Sequence, residues 1–121
     1  MQGLLLIVAT LIVFIAGYWL HVLGTPYNAI LLGIHKLLAV AAIVVVGIHV
    51  YNSLQVIDAD AGIYLLIGAT LVFAIVTIAT GAVISVVETP TPILLWSHRL
   101  LPYITTVLLA VSYFIGRNQT S

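Results

Sequence analysis

Four histidines, His21, His35, His49 and His98, hold most of the chemical capacity of this chain. A neutral imidazole can ligate a metal, accept a proton or hydrogen-bond a hydroxyl or carbonyl. Cysteine is absent, which removes disulfide frameworks, thiolate metal sites and Cys nucleophiles. No nucleophile–base arrangement appears, and a four-histidine zinc site fails because His49 lies a helix length from the others. The chemistry must therefore be that of imidazole in an apolar setting.

That setting follows from composition. Of 121 residues 64% are hydrophobic and 5% charged, with three Lys/Arg and three Asp/Glu. Ordinary soluble domains carry roughly 25% charged residues, so this chain cannot coat a globule in water. High apolar content without excess charge excludes disorder. Zero formal net charge and the lack of a basic cluster argue against nucleic acid. The composition implies an integral membrane protein embedded in a lipid bilayer.

A bilayer core of about 30 Å needs about 20 apolar residues per helix, and four stretches meet this, at about 3–20, 29–51, 61–87 and 93–116. The runs lack the strict alternation of a membrane barrel, and lipid otherwise admits only helices. Gly24-Thr25-Pro26 marks the first turn and Thr89-Pro90-Thr91-Pro92 the third, while Asp58 or Asp60 can cap the third helix. Loops this short force antiparallel neighbours, which predicts a single all-α domain, a transmembrane up-down-up-down four-helix bundle. The first stretch lacks a basic flank and an Ala-x-Ala cleavage site, so it reads as a span and not a signal peptide. Lys36 and Arg99 lie on the side of the first and third loops, opposite both termini. Positive charge inside then places the termini outside, by a margin of one residue. Asn118-Gln119-Thr120 matches a glycosylation sequon, a pattern so short that it most often arises by chance.

His35 and His49 stand at i and i+14 on the second helix. At 100° per residue they differ by about 40° in direction and lie about 21 Å apart along the axis. Ala39, Ala42 and Val46 fall between them on that face, leaving room for close packing or a flat cofactor. His98 lies about as far into the fourth helix as His35 does into the second, and both helices enter from one side. Two neutral imidazoles at one depth on opposing helices are the axial ligand set of a low-spin haem b. Pro102 cannot donate to the His98 carbonyl and is expected to bend the helix there.

Gly33-Ile34-His35 recurs as Gly47-Ile48-His49, the first helix has Gly3 and Gly17, and the third has Gly68 and Gly81. This spacing resembles the four-helix haem-binding core of cytochrome b from quinol-oxidising complexes. In that family the second and fourth helices each carry two histidines at a comparable spacing, and glycines on the first and third make room for porphyrin. The resemblance implies a haem b between His35 and His98, with Gly17, Gly33 and Gly81 beside it. It also implies a second fourth-helix ligand near position 112, where this chain has Ser112. His49 is thus left to hold a five-coordinate second haem, take a ligand from a neighbouring subunit, or bond Ser112; Met1 could serve only by chance of position.

Lys36 and Arg99 each follow a candidate ligand and could pair with haem propionates, or simply snorkel to the interface. His21, in the first loop, reads as a solvated interfacial residue or as a proton acceptor near a quinone. Trp19, Tyr27, Tyr64, Trp96 and Tyr113 fall at the interfaces as aromatic anchors. These features read as an electron-transfer subunit rather than a free-standing enzyme. It would pass electrons to or from a quinone or partner redox subunit, within a complex or homo-oligomer of a prokaryotic or organellar inner membrane. Two other readings stand beside it. One is a (bacterio)chlorophyll-binding subunit, since magnesium takes one axial ligand. The other is a cofactor-free anchor or assembly subunit whose histidines bond hydroxyls such as those of Thr70, Thr77, Thr105 and Ser112. A transporter is less favoured because no span contains a buried carboxylate.

Overall fold

The computed structural model describes residues 2–120, which are mostly helical with no strand among them. Four helices follow in order: α1 (Gln2–Leu23), α2 (Ala29–Leu54), α3 (Ala61–Ile84) and α4 (Pro92–Thr120). All four are long and apolar enough to cross a membrane. Ile and Val are frequent in them, although β-branched residues are weak helix formers in water. In hydrocarbon every backbone N–H and C=O must be satisfied within its segment, which makes helix the available choice.

Capping sets most of the ends. Gly24 follows α1 at φ 70°, a left-handed residue that closes the helix, and its N–H bonds the Leu20 carbonyl at 3.1 Å. Asn28 accepts from Leu31 N–H at 3.0 Å, Asp60 from Ile63 N–H at 2.9 Å and Thr91 from Leu94 N–H at 3.3 Å. Of the two candidate aspartates, Asp60 is the cap of α3. Pro92 takes the first position of α4, where its missing N–H would have had no partner in the helix.

The chain divides into two compact units, one up to Asn52 and one from Ser53 on. In the first, α1 buries Leu6, Ala16 and Leu20. Gly17, late in α1, meets His35, early in α2, while Leu5 and His49 line one depression at the other end, so the two helices run antiparallel. In the second unit α3 packs on α4. The buried residues Ile63, Thr70, Ala74 and Ile84 belong to a heptad-like stripe that Thr77 and Gly81 complete. Gly81, late in α3, meets His98, early in α4, and Gly116 meets Ile57 near the other end, so this pair is antiparallel too. Many large apolar side chains of both units are exposed, among them Leu37, Leu65, Ile75, Ile93 and Val107, which suits a surface facing lipid.

Four helix ends differ from the hydropathy reading, one being that of α2, which runs on to Leu54. α1 runs on to Leu23, so His21 lies in its last turn and not in a loop. α3 stops at Ile84 although Val86 and Val87 remain apolar: Ser85 is its C-cap, and beyond it Val86 and Val87 N–H both turn back to the one Val83 carbonyl at 3.1 Å. α4 continues through the polar stretch Arg117-Asn118-Gln119, where no residue breaks a helix. It also runs through Pro102 as one element.

Candidate functional site

The same device is built once in each unit. Gly17 of α1 faces the His35 ring: a Cβ added there would lie 3.1 Å from Cε1. Gly81 of α3 faces the His98 ring more tightly, at 2.6 Å from Cε1, 3.2 Å from Nε2 and 3.3 Å from Nδ1. The missing Cβ is therefore what admits each imidazole against its neighbouring helix. At Gly17 and Gly81, which the cytochrome resemblance sets beside a tetrapyrrole, the group facing the missing Cβ is the imidazole of His35 and of His98. Gly33 faces open space, with nothing within 4 Å of where its Cβ would stand.

His98 is held by more than packing. Its Nδ1 lies 3.0 Å from the Thr77 carbonyl oxygen and 3.1 Å from Thr80 Oγ1. A carbonyl can only accept, so Nδ1 carries the proton. The Thr80 hydroxyl spends its own proton on the same carbonyl at 2.9 Å, which leaves its oxygen as a second acceptor for Nδ1–H. Both hydrogen bonds of the ring run through Nδ1. In the neutral imidazole one nitrogen is thus anchored, and Nε2 carries the lone pair. Among the described residues no group of three or more His, Asp or Glu is placed to hold a bare metal ion.

His35 is half-buried, and its Nδ1 is shut off from solvent. His49 lines an open apolar depression of about 150 Å³ with Leu5, Val45 and Ile48. Lys36, next to His35 in the chain, is exposed. Arg99 is also exposed and sets its guanidinium 5.7 Å from the centre of the Trp96 ring, a cation–π contact across one helical turn. His21 stands 6.5 Å from the Tyr18 ring, centroid to centroid. Ser112 gives its hydroxyl proton to the Leu108 carbonyl of its own helix at 2.7 Å. Met1 lies outside the described residues.

Sequence alone offers the Thr77 hydroxyl as a partner for histidine and does not single out Thr80. The Thr77 hydroxyl instead donates to the Phe73 carbonyl at 2.7 Å, and it is the Thr77 backbone that receives His98. A signal is present in the chain: Thr77, Thr80 and Gly81 stand at i, i+3 and i+4, on one face of α3. No family model, curated protein or solved structure matches this chain, so the site stands on its own geometry.

Proposed function

We propose that the chain is a small membrane b-type cytochrome, an up-down-up-down bundle in which His35 and His98 hold haem b. The observation that carries this reading is the state of His98, with Nδ1–H given to the Thr77 carbonyl and the lone pair left on Nε2. Histidines that bind a metal through one ring nitrogen donate the other N–H to a carbonyl, carboxylate or water, which fixes tautomer and orientation. In that respect His98 fits an axial ligand. His35, seated on Gly17 as His98 is on Gly81, is the second member of the set. Bound haem would supply one-electron redox chemistry; the protein supplies two neutral nitrogens and a water-poor, low-dielectric shell.

Lys36 and Arg99, each next in sequence to a ligand, neutralise the propionates in this reading, with Arg99 braced on Trp96. His49 holds a second group or bonds Ser112. The electron partner is a quinone or another redox subunit, and the chain works within a larger membrane complex or a homo-oligomer of an inner membrane. A cofactor-free anchor is the second reading. It is favoured by the closure of the His98 ring onto Gly81, which is already a complete packing contact.

Titrating the detergent-solubilised protein with hemin separates the two. A saturable Soret shift that is lost in His98→Gln and in His35→Gln supports the cytochrome. Equal hemin uptake by the wild type and both variants would overturn it.

A further inference from the structure

We propose that Thr80 is a positioning residue that locks His98 in the Nδ1–H tautomer and so delivers Nε2 as the free nitrogen. Its purpose rests on the reading of His98 as a ligand, whereas the lock itself stands on the hydrogen-bond geometry.

Three polar atoms form a closed triangle. Nδ1 of His98 is 3.0 Å from the Thr77 oxygen and 3.1 Å from Thr80 Oγ1, and Oγ1 is 2.9 Å from that same oxygen. One proton sits on the hydroxyl and one on the ring, and the carbonyl can contribute none. With the hydroxyl proton directed to the carbonyl, both acceptors face Nδ1–H. In the opposite tautomer a bare Nδ1 would confront the carbonyl oxygen, lone pair against lone pair. Thr80 could then relieve Nδ1 only by withdrawing its proton from Thr77.

The hydroxyl is also placed unlike others within the helices. Thr10, Thr70, Thr77, Thr105, Thr106 and Ser112 all donate to the carbonyl four residues back, whereas Thr80 donates three back, to Thr77, as Ser85 at the C-cap of α3 does to Ala82. That choice brings its oxygen to the imidazole. Gly81, next in the chain, lets the ring descend to this edge of α3. An added acceptor on the distal N–H makes an imidazole a more basic ligand through its other nitrogen.

The test uses the full chain with 15N-labelled histidine in detergent micelles and no added cofactor. The His98 resonances are assigned by their loss in His98→Gln. The expected spectrum has a protonated Nδ1 and a bare Nε2. Thr80→Val should lower the ratio of the Nδ1–H to the Nε2–H form by about fivefold, the effect of losing one ordinary hydrogen bond, and Thr80→Ser should restore it. An unchanged ratio in Thr80→Val overturns the proposal. So does a wild-type spectrum with protonated Nε2, which decides the matter even if the valine variant fails to fold. Hemin titration of the same wild-type sample is read separately. Failure to bind would remove the cytochrome reading and leave the tautomer result standing.

Discussion

Replacing Gly81 with alanine probes the contact on which the site is built. The new Cβ would lie 2.6 Å from His98 Cε1, so the ring must withdraw by about 0.8 Å to reach the 3.4 Å at which ordinary contact begins. A rigid retreat of the whole ring by that amount stretches the 3.0 Å bond from Nδ1 to the Thr77 oxygen to at most about 3.8 Å, the limit at which it is lost. The lost bond costs about 1 kcal/mol and the overpacking about 1–3 kcal/mol. Against these, alanine is a better helix former than glycine by about 0.5–1 kcal/mol. The net is a destabilisation of about 1–3 kcal/mol. Gly17→Ala is the internal control: its Cβ would be 3.1 Å from His35 Cε1, a retreat of only about 0.3 Å. Helix propensity offsets so small a shift, leaving the variant within about 1 kcal/mol of wild type. Gly68→Ala meets nothing within 4 Å and should be neutral or stabilising. SDS titration of each variant in mild detergent, followed by helical circular dichroism, gives the order directly. Equal midpoints for Gly81→Ala and Gly17→Ala would mean that the Gly81–His98 contact is not the tighter of the two, as would a Gly81→Ala variant more stable than wild type.

Other consequences can be checked in the same system. Asp60→Ala removes the N-cap of α3 and should cost about 1 kcal/mol in that titration, while Asp58→Ala should leave the midpoint unchanged. Gly24→Ala forces a side chain into the left-handed region at φ 70° and should cost about 1–2 kcal/mol. In hemin-loaded protein, His98→Ala should abolish the low-spin signal in electron paramagnetic resonance and His49→Ala should leave it largely intact. The reverse pattern would mean that the ligand assignment is wrong.

The helices are legible in the sequence because hydrocarbon imposes one backbone solution on a long apolar run. Their ends are less so: hydropathy reports the thickness of the lipid, not where the backbone turns. Thus α4 outlasts its apolar stretch, α3 stops short of Val86 and Val87, and His21 reads as a loop residue but is helical. At the site, spacing singles out His35 and His98. The seating of each on a glycine of its own helix pair is harder to see, although the offsets across the two loops nearly agree, i to i+18 from Gly17 to His35 and i to i+17 from Gly81 to His98. Sequence pattern marks a glycine as space but does not say what enters it. Thr80 is hidden for another reason. A threonine in a membrane helix ordinarily satisfies itself on the carbonyl four residues back, and its departure from that habit is visible only in three dimensions.

Whether His35 and His98 hold haem is decided by one absorption spectrum. The protein is purified from its native membrane and recorded as isolated and after reduction with dithionite. Sharp α and β bands on reduction, lost in His98→Ala, are the predicted result. Red or near-infrared bands would replace haem with a chlorophyll-type pigment, and a featureless visible spectrum would contradict any tetrapyrrole in this protein.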